Sequence, residues 1–315
     1  MTADAAESGP VRLRLGTRGS PLALCQSGLI AAEIERRGTP VELVTIRTSG
    51  DVATGSLAAL GGKGLFVKEI EEALLRHRID VAVHSLKDMP ASLPKGLVLV
   101  ATPPRADARD VLISAAGVGL ASLPAGTRVG TSSLRRRAQL LALRPDLGVV
   151  EMRGNVDTRL GKLASGRVDA ILLAAAGLQR LGLTPAGLVP LAPKIFMPAI
   201  GQGILALEAR ADDPAVHAVL RPLDDPATRA AADAERAFLV TVGGDCHTPL
   251  AAYATVVGDR LRMQALVAAI DGREMIGDSF EGPVAFATDI GTRLATALLS
   301  RGAADLIARA AARQP

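Results

Sequence analysis

Aromatic residues are nearly absent from this chain of 315 residues, which has five Phe, one Tyr and no Trp. A hydrophobic core must therefore be built from aliphatic side chains, and an apolar content of 49% is sufficient for one. No apolar run approaches the roughly 18 residues of a membrane-spanning helix, so we expect no membrane protein. The opening MTADAAESGP lacks the basic and apolar regions of a signal peptide, and residues 1–10 are expected to form a disordered tail.

Cysteine and histidine are also scarce, which argues against a disulfide framework and against a metal site. Cys25 and Cys246 are the two cysteines, and the four histidines are scattered along the chain. A cytoplasmic location is the expectation for such a chain. The net charge of +4 is modest and the basic residues are not interleaved with aromatics, so nucleic-acid binding is not favoured.

The hydrophobic pattern predicts two successive α/β regions and a different C-terminal part. Short β-like runs alternate with helical stretches up to about residue 200, which indicates mainly parallel sheets. The Pro-rich segment 102–110 and the irregular IFMPAIGQG at 195–203 each predict a crossing between domains. From residue 226 a long helix, an antiparallel meander and a further helix are expected, which is an α+β arrangement.

The segment 129–159 carries the strongest chemical signal, with six arginines against three acidic residues. Thr131 and Ser133 precede a helix as capping residues, and arginines then occupy its first turn, where the helix dipole opposes them. Cationic side chains beside free N–H groups make an anion site, and the arginine fork suits a carboxylate or a phosphate. A solvated basic helix face fits the same pattern, so both interpretations remain open.

Polar residues follow predicted strands at two further points. GTRGSPLAL places Arg18 and Ser20 between a strand and a helix, and VAVHSLKDMP runs a buried strand into Lys87 and Asp88. Ligands bind beyond the carboxyl ends of strands in open α/β sheets, so these are candidate binding residues. Asp88 is a candidate acid–base or cation-stabilising carboxylate. Helix capping by Ser20 and a simple turn or ion pair at Asp88 are the alternatives.

Two glycine-rich loops complete the set of candidate motifs. GGKGLFVKEIE contains Lys63 and fits either a flexible lid over a ligand or a surface loop. VGGDCHTPL places Cys246 among polar neighbours, which fits either a covalent attachment point or an ordinary free thiol. Cys25 lies in an amphipathic helix and is expected in the core.

These motifs together resemble the porphobilinogen deaminase family, also called hydroxymethylbilane synthases. The matching segments occur in the family's order and cover about residues 11–255: GTRGSPLAL, TSGD, GGKGLFVKEIE, DVAVHSLKDMP, VGTSSLRRRAQL, RGNVDTRL, DAILLAAAGLQRLGL, MPAIGQG and the Cys246 loop. The resemblance implies two lobes like those of type II periplasmic binding proteins, with mainly parallel sheets, and a smaller α+β C-terminal domain with an antiparallel sheet. The implied domains are 11–103 with about 203–222, then 108–198, and then 226–315, which carries the cofactor cysteine.

The resemblance also implies an activity and a cofactor. Members of the family are transferases of tetrapyrrole and heme biosynthesis. They join four porphobilinogen units head to tail into hydroxymethylbilane and release ammonia at each condensation. Its cofactor is a dipyrromethane held by a thioether, and Cys246 is the matching position. A monomer that passes its product to uroporphyrinogen-III synthase is implied, with no nucleic-acid, membrane or metal partner.

The matching positions imply a role for each candidate residue. Asp88 matches the catalytic aspartate, and Lys63 and Phe66 match a mobile loop over the site. The positions that match cofactor- and substrate-binding residues are Arg18, Ser20, Lys87, Thr131, Ser133, Arg135, Arg136, Arg153, Arg159, Arg180 and Gln202. Two loop positions depart from the family's pattern: Ala59, where some members carry Lys, and Asp245, where Gly is usual.

Two other classes of protein fit parts of the pattern. A non-catalytic anion-binding protein could have the same two lobes, but it would need neither Asp88 nor Cys246, and an exported one would carry a signal peptide. A nucleic-acid-binding regulator would need a docking motif or a concentrated basic stripe, and neither is visible.

Overall fold

The computed structural model describes residues 12–49, 67–244 and 248–312, and within them the strands form three sheets. The predicted tail at 1–10, the loop with Lys63 and Phe66, and Cys246 lie outside the described residues. None of the described helices is both long and apolar enough to cross a membrane.

The first lobe is built on a five-stranded sheet with the order β2-β1-β3-β10-β4. Its helix α1 begins at Pro21, where the fixed φ of proline suits the first helical position, and Ser20 caps it by accepting a hydrogen bond from the Ala23 N–H. Ile30 and Ile34 on α1 are buried in the lobe's core. The elements are β1 (Leu13–Arg18), β2 (Val41–Ile46), β3 (Val81–Ser85), β4 (Leu97–Ala101), β10 (Leu205–Arg210), α1 (Pro21–Arg36), α2 (Lys68–Leu75) and α6 (Pro214–Leu220).

The second lobe repeats this arrangement with the strand order β7-β6-β8-β5-β9. Its elements are β5 (Asp110–Ser114), β6 (Arg128–Gly130), β7 (Gly148–Val150), β8 (Ala170–Ala174), β9 (Leu188–Pro190), α3 (Leu134–Leu143), α4 (Val156–Ala164) and α5 (Ala175–Arg180). Leu112, Leu140 and Phe196 are buried together in its core. The predicted two-lobed α/β fold is confirmed.

Each lobe contains one strand that runs against the others. β10 is antiparallel to its neighbours β3 and β4, and β5 is antiparallel to β8 and β9. Both reversed strands directly follow a crossing, so each belongs to the sheet that the chain has just entered from the other lobe. The sheets are therefore mixed, with four strands in one direction and one in the other.

The C-terminal domain has the predicted α+β architecture. Strands β11 (Leu250–Val257), β12 (Arg260–Ala268) and β13 (Met275–Pro283) form an antiparallel sheet, with turns at Gly258 and Gly272 between them. Phe238 and Leu294 pack in the core between this sheet and the helices α7 (Pro226–Val242), α8 (Ala287–Leu299) and α9 (Ala303–Ala312). The exact domain boundaries given above stay a prediction.

Candidate functional site

The candidate site residues of the first lobe lie at one edge of its sheet. Strands β1 and β3 are parallel neighbours, so the residues that follow them emerge on the same side. Arg18 and Ser20 lie at the end of β1, and a 3₁₀ turn at Leu86–Asp88 follows β3 directly. This turn leaves the Asp88 side chain exposed and Lys87 half-buried.

The second lobe supplies its polar residues in the same way. Strands β7 and β8 both run parallel to β6, and each of the three is followed by a helix. Ser133 caps α3 by accepting a hydrogen bond from the Arg136 N–H, and Asn155 caps α4 through the Thr158 N–H. The helix after β6 thus places Arg135 and Arg136 in its first turn.

A cavity of about 200 Å³ lies where the lobes, the second crossing and the C-terminal domain meet. Six of the predicted site residues line it: Lys87, Asp88, Ser133, Arg135, Arg136 and Gln202. The C-terminal domain contributes Arg236, Leu239, Thr248 and Leu250. Thr248 and Leu250 follow the segment 245–247, which contains Cys246 and lies outside the described residues. The cavity therefore borders both Asp88 and the chain that leads out of the cysteine loop.

The arginines at the start of α3 are buried around a carboxylate. Arg135 Nη1 donates to Asp110 Oδ2 at 2.6 Å, and Arg136 Nη2 donates to Asp110 Oδ1 at 2.7 Å. Arg135 and Arg136 are only 5% and 6% exposed, so the solvated basic face is wrong. The sequence offered no partner for them, because Asp110 lies 25 residues before Arg135 and was assigned to a crossing. A lone acid at the head of the apolar strand VLIS is the signal that could have identified it.

Burial and charge perturb several pKa values in this region. Burial opposes ionisation of Asp110, but the charges and hydrogen bonds of Arg135 and Arg136 outweigh it and hold its pKa far below the usual range. Burial lowers the pKa of Lys87; the neighbouring Asp88 carboxylate opposes this effect, and repulsion from Arg136 adds to it. Burial, with a smaller repulsion from Arg136, lowers the pKa of Arg159 to about 10. The site is a concentration of positive charge only partly offset by Asp110.

Gln202 connects the second crossing to this cluster. Its Nε2 donates to the Ala108 carbonyl oxygen at 2.7 Å and to Asp110 Oδ1 at 3.0 Å. Its Oε1 is buried and meets no hydrogen-bond donor among the described residues. An unsatisfied buried acceptor beside a cavity is costly unless a ligand supplies a donor, so this oxygen indicates a ligand that carries an N–H or O–H group.

The other predicted binding residues have different surroundings. Thr131 Oγ1 accepts from the Ser133 N–H, Arg153 pairs with Glu151 on the surface, and Arg180 Nη2 donates to the Gly203 carbonyl oxygen at 2.7 Å. Arg159 Nε donates to the Gly154 carbonyl oxygen at 2.8 Å. The structure does not place Arg18, Ser20, Thr131, Arg153, Arg159 or Arg180 on the walls of this cavity.

Cys25 differs from its expected position in the core. It is half-buried, and its Sγ faces the Arg180 carbonyl oxygen at 2.7 Å. Helix α1 packs on β1, β2 and β3 of its own lobe and also contacts α5 of the second lobe. Cys25 therefore lies between the lobes. Among the described residues, no cluster of His, Cys, Asp and Glu side chains has the grouping of a metal site.

Sequence reasoning missed the residues that join the C-terminal domain to the site. Arg105 in the first crossing pairs with the buried Glu235 on α7. Arg236, the next residue, lines the cavity and donates to the carbonyl oxygens of Pro90 and Ala91, just beyond the 3₁₀ turn that carries Asp88. The charged positions of α7 look like an ordinary solvated helix face in the sequence, and no local signal marks them.

Two protein-family models match the chain, the first over the two lobes and the second over the C-terminal domain. Residues 13–218 match "Porphobilinogen deaminase, dipyromethane cofactor binding domain". Residues 230–300 match "Porphobilinogen deaminase, C-terminal domain". The two matches together cover most of the chain.

Curated relatives are similar to the chain over nearly its whole length. A protein of Roseiflexus castenholzii is 50% identical over 299 residues, which cover 94% of this chain and 98% of the relative. One of Geobacter sulfurreducens is 49% identical over 300 residues, covering 94% of each chain. Both are named porphobilinogen deaminase. Among solved structures, an ancestral cationic amino acid solute binding protein shares 14% identity at a TM-score of 0.42, over 67% of this chain and 87% of that one.

Proposed function

The chain belongs to the porphobilinogen deaminase family and is a hydroxymethylbilane synthase, a transferase of tetrapyrrole biosynthesis, and we propose that Asp88 is its catalytic carboxylate and Cys246 its cofactor attachment point. One observation carries this proposal. The cavity that contains Asp88 is also lined by Thr248 and Leu250, which lie two and four residues beyond Cys246. Close sequence neighbours of Cys246 therefore share a cavity with the Asp88 carboxylate, which supports the assignment of both residues to one site.

The exposed carboxylate of Asp88 suits the chemistry of the reaction. Loss of ammonia breaks the C–N bond of the aminomethyl arm of porphobilinogen and leaves an electron-poor ring with positive charge at the pyrrole nitrogen. A carboxylate beside the pyrrole N–H stabilises that charge and can move the proton. The methylene carbon then forms a C–C bond with the free ring carbon of the preceding unit, which loses its proton.

The positive charge around the cavity suits the side chains of the substrate. Each porphobilinogen unit carries an acetate and a propionate, so the growing chain accumulates negative charge. Arg135, Arg136 and Lys87 line the cavity, and charge-assisted hydrogen bonds from such groups to carboxylates are strong. We assign binding of substrate and growing-chain carboxylates to these residues and to Arg18, Arg153, Arg159 and Arg180, with Ser20, Ser133 and Thr131 as hydroxyl donors.

The described residues fit a dipyrromethane cofactor. When it is bound, this group supplies the first pyrrole acceptor of the growing chain. Gln202 Oε1 is a buried acceptor that no donor of the described residues reaches, and a pyrrole N–H is a donor of the required kind. Asp88 offers a second acceptor in the same cavity, while Arg135 and Arg136 offer donors to carboxylates. We propose that a thioether from Cys246 holds the group there, with Lys63 and Phe66 in a loop over the site.

The cellular context of the enzyme belongs to the same proposal. We propose a cytoplasmic monomer that takes porphobilinogen from solution and passes hydroxymethylbilane to uroporphyrinogen-III synthase. Neither nucleic acid nor a membrane is proposed as a partner.

The intact mass of the purified protein, compared with that of Cys246→Ala, tests the proposal. A surplus mass equal to a dipyrromethane, present in the wild type and absent in the variant, is expected. Adding porphobilinogen to the wild type should then produce further mass increments and hydroxymethylbilane. A wild type that stays unmodified and inactive after incubation with porphobilinogen would contradict the function, and a surplus retained by Cys246→Ala would contradict the attachment point.

A further inference from the structure

A turn of the C-terminal domain lies in close contact with α3, the helix that carries the buried Arg135 and Arg136. The turn contains Gly272, between β12 and β13, with φ of +72°. A Cβ added there would lie 2.5 Å from the Ala138 carbonyl oxygen, 2.9 Å from the Leu141 carbonyl carbon, and closer still to the Ala142 nitrogen. All three atoms belong to the backbone of α3, so no side-chain movement can relieve the clash.

The same helix rests on the C-terminal sheet along its side. Ala138 on α3 packs in one buried cluster with Ala251 from β11 and with Leu266 and Ala268 from β12. The helix and the sheet therefore share a buried apolar contact. The C-terminal domain thus holds α3 through its sheet and through the Gly272 turn, while the first turn of the helix lines the cavity with Arg135 and Arg136.

We propose that Gly272 is a positioning residue for the condensation reaction, because its turn sets where α3 presents Arg135 and Arg136 relative to the domain that carries Cys246. This inference rests on the proposed function. Ala138 lies within one helical turn of Arg135, so a displacement of the helix at Ala138 moves both guanidinium groups. Arg135 Nη1 and Gln139 Nε2 also hold the Met197 carbonyl oxygen, at 2.6 and 3.0 Å, so the second crossing moves with α3.

The displacement needed is large on the scale of catalytic geometry. Carbon atoms in contact are normally about 3.5–4.0 Å apart, so a Cβ at Gly272 requires a shift of roughly 1 Å. A misplacement of that size can lower turnover by as much as about 100-fold. The fold as a whole need not be disrupted, because the shift can be taken up between two domains.

The sheet provides a matched control in its other turn. Gly258 connects β11 to β12 with φ of +61°, and a Cβ there would have no atom within 4 Å. Asn tolerates positive φ better than most residues but does have a Cβ. Gly272→Asn and Gly258→Asn therefore carry the same conformational cost, and they differ in whether the new Cβ meets α3.

The experiment compares these two variants with the wild type as holoenzymes. The measurements are the melting temperature, the fraction carrying the cofactor mass, and kcat and KM for porphobilinogen per mole of holoenzyme. We expect a melting temperature for Gly272→Asn at or below that of Gly258→Asn, near-normal kcat for Gly258→Asn, and a kcat per mole of holoenzyme lowered on the order of tenfold or more for Gly272→Asn, with elongation intermediates accumulating in the mass spectrum. Gly272→Ala, with the smallest added side chain, should show the same defect.

Three results would overturn the inference or separate it from the proposed function. Equal kcat for Gly272→Asn and Gly258→Asn would show that the turn does not position α3. A loss of folded protein at Gly272 with normal kcat per folded molecule would make the contact a stability feature only. A wild type that does not convert porphobilinogen would instead refute the proposed function.

Discussion

Arg105 and Glu235 form an ion pair that joins the first crossing to the C-terminal domain, with Arg105 Nη1 2.6 Å from Glu235 Oε1. Arg105 Nε also donates to the Gln202 carbonyl oxygen at 2.9 Å. The fully buried Glu235 carboxylate accepts from the Gly201 N–H at 2.6 Å and the Ala254 N–H at 2.8 Å. One carboxylate therefore holds both crossings against α7 and β11, at the point where the two lobes and the C-terminal domain meet.

Arg105→Met should destabilise the protein strongly, because it leaves the buried Glu235 carboxylate without its counter-charge. Removing one partner of a buried ion pair typically costs about 3–5 kcal/mol. Denaturant unfolding of Arg105→Met and of Arg109→Met would measure this. The Arg109–Asp107 pair is substantially exposed and should contribute less than about 1 kcal/mol, so equal shifts in the unfolding midpoint would refute the structural role of Arg105.

Asp88→Asn should lower kcat by roughly 100-fold or more, because the amide cannot carry the negative charge that stabilises the electron-poor ring. The fold should be unaffected, since the Asp88 side chain is exposed. Steady-state turnover of porphobilinogen and thermal melting are the measurements. Asp212→Asn, at an exposed position of the first lobe, is the control and should keep normal turnover. An Asp88→Asn enzyme with most of its activity would show that another group stabilises the charge.

The sequence predicts those elements whose local pattern agrees with their environment in the fold. The antiparallel meander expected after residue 226 is confirmed, since turn residues mark the ends of its strands. Strand β10 is missed because LALEAR consists of good helix formers, and only its complete burial in the middle of a sheet makes it a strand. The sequence leaves open, for a similar reason, whether Arg135 and Arg136 are buried or solvated. Their partner Asp110 approaches through the crossing, and local spacing carries no information about that contact.

Glu71 should make the stability of the first lobe depend on pH. It is buried near Glu208 and His84, and burial, followed by repulsion from Glu208, raises the pKa of Glu71 from 4.5 to about 7. Between pH 4.5 and about 7, Glu71 in the folded protein therefore keeps a proton that it has lost in the unfolded chain. Stability from this group is fully present below pH 4.5 and is lost as the pH rises towards about 7.

Glu71→Gln should remove this dependence, since the neutral amide resembles the protonated carboxyl group in shape. Melting temperatures of wild type and variant, measured from pH 5 to pH 8, should converge at the acidic end and separate towards the alkaline end, with the variant more stable (the interval follows from the raised pKa). Glu72→Gln, at the next position, where the side chain is 40% exposed, should leave the wild-type profile unchanged. Parallel profiles for wild type and Glu71→Gln would mean that Glu71 is already ionised at the lowest pH.

Arg236→Met should impair catalysis more than it impairs folding, because Arg236 fixes the chain just after Asp88 to the helix that leads to the cysteine loop. Its Nη2 donates to the Ala91 carbonyl oxygen at 2.9 Å, and its side chain lines the cavity. Arg229, two turns earlier on α7, makes the same kind of link, from Nη2 to the Val100 carbonyl oxygen at 2.8 Å. It does not line the cavity.

The two arginines therefore form a matched pair. Each substitution removes hydrogen bonds from a charged group to backbone carbonyls, worth about 1.5–3 kcal/mol apiece. Arg229→Met also removes the ion pair with Asp224, so it should lose at least as much stability as Arg236→Met. Only Arg236→Met should lower kcat, on the order of tenfold, because only there does the freed backbone adjoin the Asp88 turn. Turnover per mole of folded holoenzyme at a temperature well below both melting transitions separates the two effects. If Arg229→Met lowered kcat equally, catalysis would depend on the link between α7 and the first lobe as a whole. The hydrogen bonds of Arg236 beside Asp88 would then have no separate role.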